Sequence, residues 1–498
     1  MMRTSPQPAA PLFSSSRIRA VEHAHASGKL MEKAGQAAAM LAHDMLGENG
    51  YNVLIIAGPG NNGGDALVAA RHLRQLWYRV TVVVAGDRDK LPKDAFQALE
   101  GWLSAGGEIH GAIPAADYDL VIDGLFGIGL SKPLQGSHAE LVAQINALQA
   151  PVLSLDVPSG LCADTGRILG HAVRASRTLT FIGLKPGLFT LDGPDHAGIV
   201  HATDLGIPEI GTAPASGGLL ERGMFQPPLP QRANNSHKGS FGSIAILGGS
   251  DFMTGAALLA ARAALLIGAG RVYAGLLAHN PPAVDFGQPE LMLRAPETLF
   301  DLGHLSVLVA GPGLGHSVES LSALQGALLY PGPLLLDADA LTLLAVDTGL
   351  IQQFRDRPHG NIVTPHPGEA ARLLDCSAAE IQADRVAAAL AIARNLNAIT
   401  VLKGAGSIIA AADGSWFINP TGNPGLSSAG TGDVLAGLIG GLIAQREDLL
   451  YATMLGVHVH GAAADALVAR GTGPIGLTAS EVALEARDLI NQWMRTAA

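Results

Sequence analysis

The chain has 498 residues, too many for one ordinary hydrophobic core, so two or three domains are expected. Hydrophobic residues make up 48%, charged residues only 15%, and there are 62 glycines, which excludes a disordered chain and favours a large, well-buried α/β protein. A net charge of −11 and a pI near 5.8 argue against broad binding to nucleic acid or to an anionic membrane. The opening stretch MMRTSPQPAAPLFSSSRIRA has no continuous apolar core, so no secretory signal is expected. Apolar runs elsewhere are broken by Asp, Arg or Gly, and no membrane span is expected. Cys162 and Cys376 lie far apart without metal-ligand spacing and read as buried free thiols in a reducing, cytoplasmic compartment.

Two βα-rich blocks follow one another. The first opens with the helical run SRIRAVEHAHASGKLMEKAGQAAAMLAHDML. It continues with the strand NVLIIA (52–57), the loop GPGNNGGD, the helix ALVAARHLRQL, the strand RVTVVVAG and a helix near 93–104. DLVIDGLFG (119–127), a helix near 137–148, PVLSLDVPSG (151–160) and TLTFIG (178–183) complete it. Short apolar strands alternating with helices predict a doubly wound parallel sheet. From Ile207 to Lys238 the texture turns rich in Pro, Gly and Asn without a period, which reads as a linker. The second block has strand candidates SIAILGG, RVYAGLL, SVLVAGPGLG, PLLLDAD, NIVTPHPGE and ITVLKGAGS. Its helices TGAALLAARAALLIGAG and DVLAGLIGGLIAQ are almost wholly apolar and should be covered on most sides. The expected plan is two doubly wound, three-layer α/β domains, 1–215 and 237–498, joined by a linker at 216–236.

Open α/β sheets bind ligands beyond the carboxyl ends of their strands. In the first block that rule gathers Asn61, Asn62 and Asp65 after one strand, Asp123 at the end of a second, and Asp156 with Ser159 after a third. Gly58, Gly60, Gly63 and Gly64 would let a pyrophosphate approach the backbone at the following helix start. Each residue alone has an ordinary alternative, since Asp caps helices and Asn-Asn-Gly-Gly is common turn chemistry. An oxygen-only set of Asn, Asp and Ser suits a hard cation and not zinc.

The ordered series GPGNNGGD, DGLFGIGLSKP and DVPSG resembles the YjeF amino-terminal domain, the NAD(P)HX epimerase family, over about residues 15–215. The resemblance implies a Rossmann-like domain with a potassium ion on Asn62, Asp123 and Ser159. It implies substrate contacts at Asn61, Asn62, Gly63, Gly64 and Asp65, at Gly127, Ile128, Gly129, Leu130, Ser131, Lys132 and Pro133, and at Asp156, which would also be the catalytic acid–base residue. One departure is Ala66, where the family more often has glycine.

In the second block, AGTGD (429–433) opens an apolar helix. Bare N–H groups of Gly430, Thr431 and Gly432 would seat a phosphate, and the carboxylate of Asp433 beside them would repel it. The conflict resolves if Asp433 orients an attacking hydroxyl and takes its proton late in a phosphoryl transfer. Its plain alternative is a first-turn helix residue. Lys403, after ITVL and before GAG, offers a cation on a close-approach loop. His366 reads from the residues alone as a turn histidine. Asp337 and Asp339 in LLLDADAL fit helix capping as well as substrate or metal binding.

AGTGD in this setting resembles the ribokinase-like superfamily. HKGSFGSIAILGGS, TGAALLAARAALLIGAG, AGPGLG, TPHPGE and KGAGS, in that order, are similar to the ADP-dependent NAD(P)HX dehydratase family over nearly all of 225–498. That resemblance implies substrate contacts at Ala256, Gly313, Gly315, His366 and Asp433. It implies nucleotide contacts at Lys403, Gly404, Ala405, Gly406, Ser407 and Gly432, with Mg²⁺ and with ADP as co-substrate. Together the two resemblances imply a repair enzyme for NADHX and NADPHX. One domain would interconvert the epimers, and the other would dehydrate the S epimer to NAD(P)H with release of AMP and phosphate. The alternative is a vitamin or sugar kinase fused to a non-catalytic binding domain. The apolar helices point to self-association, as a homo-oligomer.

Overall fold

Strand β2 (Asn52–Ala57) shows how the first sheet is built: Val53, Ile55 and Ala57 join one apolar cluster, Leu54 and Ile56 join another, and all five are fully buried. A strand buried on both faces belongs in the middle of three layers. The computed structural model describes residues 8–25, 29–207, 215–446 and 448–496, and these form two compact units, Pro11–Gly217 and the chain from Gly218 onward.

In chain order the first unit follows a short strand β1 (Ala10–Leu12) with α1 (Ser15–Ala24), α2 (Leu30–Leu46), β2, α3 (Asn61–Gln75), β3 (Arg79–Val84), α4 (Lys93–Ser104), β4 (Ile109–His110) and β5 (Leu120–Gly124). Then come α5 (Ser137–Ala147), β6 (Val152–Leu155), β7 (Arg177–Phe181), α6 (Gly193–Ala197) and β8 (Ile199–Thr203). The opening helical run is thus two helices, and residues 26–28 between them lie outside the described residues. The seven strands pair in parallel in the order β4-β3-β2-β5-β6-β7-β8. Chain direction across the sheet reverses between β2 and β5, the position where doubly wound sheets open a crevice. β4 and β8 were not anticipated; β4 has two residues, and β8 carries a half-exposed edge pattern without an apolar run.

The second unit runs through β9 (Gly217–Leu219), β10 (Ser243–Gly248), α7 (Thr254–Leu266), β11 (Arg271–Leu276), β12 (Met292–Arg294), β13 (Val307–Ala310), α8 (Val318–Leu328), β14 (Leu334–Leu336), α9 (Ala338–Ala345) and α10 (Thr348–Arg355). It continues with β15 (Asn361–Val363), α11 (Pro367–Leu373), α12 (Ala378–Ala383), α13 (Arg385–Leu396), β16 (Ile399–Leu402), β17 (Ser407–Ala410), β18 (Trp416–Asn419), α14 (Thr431–Gln445), α15 (Leu449–Ala469) and α16 (Ala479–Thr496). The order is β9-β18-β17-β16-β15-β14-β13-β10-β11-β12, parallel except at β16–β17 and β17–β18. The expected linker does not stay apart: Leu220 and Phe225 are fully buried, and Leu220 N–H donates to Ile418 O at 2.9 Å. Residues 208–214 of that stretch lie outside the described residues.

The two apolar helices are covered as expected. α14 packs on α7, α15 and α16, and Gly437 lies so close to α7 that a Cβ there would sit 2.1 Å from the Ala260 carbonyl oxygen. No helix among the described residues is long and apolar enough to cross a membrane. Gly437→Ala should therefore destabilise the second unit by about 1–3 kcal/mol through overpacking. Calorimetric melting checks this, and an unchanged transition sinks it.

Candidate active sites

In the first unit the Gly-rich loop is more helix than loop: α3 begins at Asn61, with Gly60 as its N-cap. Gly63 and Gly58 serve backbone packing. A Cβ on Gly63 would lie 2.0 Å from Gly58 O, and one on Gly58 would lie 1.7 Å from Leu125 O. These contacts clamp the start of α3 against the chain leaving β5, so both glycines are required by the close approach of the protein's own backbone. Ala66 is fully buried in the helix and faces Gly124, which explains how the departure from glycine is accommodated.

That clamp brings three strand ends together. Asp123 is fully buried, and its two oxygens accept from Ser159 Oγ at 2.6 Å, Ser154 Oγ at 2.8 Å, Ser159 N–H at 2.9 Å and Leu125 N–H at 3.2 Å. All four donors are neutral. Burial pushes the Asp123 carboxyl up, with the Ser159, Ser154 and Leu125 hydrogen bonds pulling against it. Asn62 donates to Leu155 O at 3.2 Å, while its Oδ1 is buried with no hydrogen-bond partner. A buried amide oxygen without a donor is rare and marks a place for a ligand or ion.

Asp156 leaves the end of β6 in the left-handed region, φ 67°. Non-glycine residues hold that conformation at a cost of about 1–3 kcal/mol and do so mainly at functional sites. Its Oδ2 accepts from Ile128 N–H at 2.9 Å and its Oδ1 from Lys185 Nζ at 2.6 Å. Gly127 lies against both Asp156 and Asn62. Gly127 and Ile128 are therefore held at the site, whereas Gly129, Ser131, Lys132 and Pro133 are exposed and Leu130 is half-buried. Asn61 and Asp65 line a cavity of about 850 Å³ with Glu22, Arg71 and Phe181. Burial first, then the charges of Asp156 and Glu22, push the Asp65 carboxyl well up. Glu22 is raised by burial and by Asp156 in the same way, with Lys185 and Arg19 opposing. Glu22, inside α1, and Lys185, in the GLKPG turn after β7, escaped the sequence reading, which gathered only the loops after three other strands.

In the second unit, Gly430 precedes α14 with φ 87°, and Asp433 lies in the first turn, partly buried. Burial, then the Asp337 charge, with Lys403 opposing and Asp339 adding, raises the Asp433 carboxyl to about 7. Lys403 Nζ is 2.7 Å from Asp337 Oδ1 and 3.9 Å from Glu369 Oε2. Burial draws the ammonium down, but Asp337, Glu369 and Asp433 outweigh it and its pKa is raised. A Cβ on Gly432 would sit 3.6 Å from Lys403 Nζ, so the AGTGD turn and the KGAGS turn meet. Asp337 stands at the N-cap of α9 but makes no capping bond; it accepts from Lys403 and, at 2.8 Å, from Thr364 Oγ1. Capping thus does not explain it. Asp339 accepts from Gly315 N–H at 2.8 Å.

His366 caps α11, accepting from Gly368 N–H at 3.0 Å, and its Nε2 is 3.2 Å from Glu369 Oε1, with half the ring exposed. The turn role and an accessible ring are both present. Ala256 touches Gly313, beside the loop that follows β10. Gly404 rests on the guanidinium of Arg385, a buried residue that donates to Leu402 O and Lys403 O at 3.3 Å and is pushed down to about 10 by burial. Arg385 and the buried His460, whose Nε2 has no partner, support this corner from apolar helices and gave no sequence signal. Ser407 opens β17 behind the turn. The two cysteines are unpaired, as expected, but half-buried.

Comparisons with known proteins fit this division. The family of NAD(P)H-hydrate dehydratases matches residues 244–484, and the family of YjeF-related protein N-termini matches residues 27–187. The bifunctional NAD(P)H-hydrate repair enzyme Nnr of Escherichia coli K12 is 37% identical over 469 residues, 93% of this chain and 89% of the relative. The Coxiella burnetii enzyme of the same name is 38% identical over 95% of this chain and 96% of its own. A Bacillus subtilis ADP/ATP-dependent NAD(P)H-hydrate dehydratase, crystallised with ATP and Mg²⁺, is 32% identical over 54% of this chain and 95% of that chain, with a TM-score of 0.47. With a cluster of buried carboxylates at the strand ends of each largely parallel sheet, each in a region matched by its own family, the chain belongs to the bifunctional NAD(P)H-hydrate repair enzymes.

Proposed function

We propose that the first unit interconverts the R and S epimers of NADHX and NADPHX, and that the second dehydrates the S epimer to NAD(P)H at the expense of ADP. The observation that carries the reading is the meeting of Asp433, raised to about 7, with Lys403 at the start of α14. Hydroxide is a poor leaving group, and phosphate is a good one. Asp433 orients the C6 hydroxyl toward the β-phosphorus of ADP and accepts its proton as the new oxygen–phosphorus bond forms and the bond to the bridging oxygen breaks, releasing AMP. With a pKa near 7 it does so far better than an ordinary aspartate. Lys403 and the N–H groups of the turn at Gly404–Ser407 and of Gly432 hold the nucleotide phosphates. The ring nitrogen's lone pair then expels phosphate from C6 to give an iminium, and loss of a proton from C5 restores the dihydropyridine. Ala256, Gly313, Gly315 and His366 line the approach of the substrate.

Among the described residues no group of three His, Cys, Asp or Glu side chains is arranged to hold a metal. The carboxylates near Lys403 fit a magnesium ion carried mostly by the nucleotide and its waters, which is this ion's habit. In such a site the metal neutralises charge on the transferring phosphate.

In the first unit, Asp156 accepts the proton of the C6 hydroxyl as the C6–N1 bond opens to an aldehyde, with the electron pair going to N1. Closure on the other carbonyl face and return of the proton give the opposite epimer. Asn61, Asp65, Gly127 and Ile128 hold the ring at that carboxylate. The lone Asn62 Oδ1, the buried Asp123 and the Ser159 hydroxyl form an oxygen set suited to potassium. That ion supplies the positive charge which the neutral donors around Asp123 do not. The substrates are thus the hydrated nicotinamide cofactors and ADP, and two unpaired thiols fit a reducing, cytoplasmic setting.

Chemically prepared NADHX supplied with ADP, ATP or neither, followed by nicotinamide absorbance and AMP release, tests the whole reading. A stable phosphorylated product with ATP would instead establish the kinase alternative. Asp433→Asn should cut ADP-dependent repair by about 10²-fold or more while epimer exchange continues. Exchange should rise in KCl over LiCl, and Asn62→Ala should flatten that difference; equal rates in both salts for the native chain count against the potassium set.

The raised Asp433 pKa also makes a stability claim. An acid held above its unfolded value of 3.8 binds more protons when folded, so stability falls as pH rises from about 4 to about 7. Asp433→Asn should therefore melt a few degrees higher than the native chain at pH 8 and show no gain at pH 4. A gain of equal size at both pH values would refute the assigned environment.

A further inference from the structure

We infer that Lys185 is a positioning residue for epimerisation, pinning the Asp156 carboxylate so that it is aimed at the substrate hydroxyl. This rests on the assignment of Asp156 above. Lys185 follows β7, its side chain is fully buried, and it comes from a strand next to the one that ends at Asp156. An ammonium has three donors, and each finds an acceptor: Asp156 Oδ1 at 2.6 Å, Thr180 Oγ1 at 2.8 Å and Phe181 O at 2.6 Å. Two of those acceptors are fixed at the end of β7, so the ammonium cannot swing with the carboxylate; it pins it. The second carboxylate oxygen is fixed by Ile128 N–H, and the backbone is held in the left-handed region. The carboxylate is therefore located from three sides.

The charge balance gives the lysine its function. The other ionisable groups acting on Asp156 from neighbouring helices are Asp65 on α3 and Glu22 on α1, both acids, with Arg19 near Glu22. Among the described residues, Lys185 makes the salt bridge that sets a cation against Asp156 in this acidic cluster, while Asp65, without such a contact, is pushed well up by burial and by the Asp156 and Glu22 charges.

The test uses the full chain and follows R–S exchange directly as a function of pH. Lys185→Met keeps the stem and removes the charge. Exchange should slow about 10–100-fold, and the low-pH limb of the profile should move up by about 1–3 pH units, because an adjacent cation lowers a carboxyl by that much. ADP-dependent conversion of the pure S epimer should stay at the native rate. Should the Met variant fold poorly, Lys185→Ala is assayed with and without ethylammonium, which should restore both rate and profile. A slow variant whose low-pH limb keeps the native midpoint, with no recovery in ethylammonium, overturns the inference and leaves a structural lysine. Loss of exchange in Asp156→Asn alongside that result removes only the lysine's part, whereas native exchange in Asp156→Asn removes the assignment on which it stands.

Discussion

Negative charge gathered at the carboxyl ends of parallel strands must be balanced inside the protein, and each unit does so with one lysine. Lys185 meets Asp156 at 2.6 Å in the first unit, and Lys403 meets Asp337 at 2.7 Å in the second. Breaking such a buried pair by removing one partner costs about 3–5 kcal/mol, because the remaining charge is stranded. Neither pair is therefore a decoration on a finished fold. Each ties down one carboxyl of its cluster, and the crowding raises the neighbours that lack such a contact.

The two clusters use the same physics to opposite ends. In the first, the lysine touches Asp156, the carboxylate proposed for acid–base work, and the crowding falls on Asp65 and Glu22, both raised. In the second, the lysine touches Asp337, and the crowding falls on Asp433, raised to about 7. A base for a hydroxyl that must be activated by phosphorylation gains from a pKa near neutrality. A carboxylate that opens and closes a ring hydroxyl gains more from fixed geometry. Joining the two activities in one chain follows from their stereochemistry, since a dehydratase that takes one epimer is fed by an enzyme that makes it from the other.

Much of the fold was legible in the sequence. NVLIIA, SIAILG and their companions are continuous apolar runs between Gly-rich turns, and such runs make central parallel strands. What escaped were short strands outside the central parallel run, among them the antiparallel pair β17 and β18. β8, with its half-exposed pattern, and β9, three residues within a Pro- and Gly-rich stretch, carry no apolar run and owe their place to a neighbour's unpaired backbone. In the Gly-rich stretch, Gly58 and Gly63 are demanded by the close approach of the chain's own backbone. A sequence states that a glycine is needed; only packing states what approaches it.

By itself the sequence determined the two α/β units, the strand ends from which Asp123, Asp156 and Asp337 project, and the turns that open α3 and α14. Those are local matters, set by periodicity and turn chemistry over a few residues. The tertiary structure decided which carboxyls crowd together and which of them meets a cation. Lys185 meets Asp156 across 29 positions of chain, and Lys403 meets Asp337 across 66. A pKa depends on burial and on neighbours brought close by the fold, and no short stretch of residues encodes either.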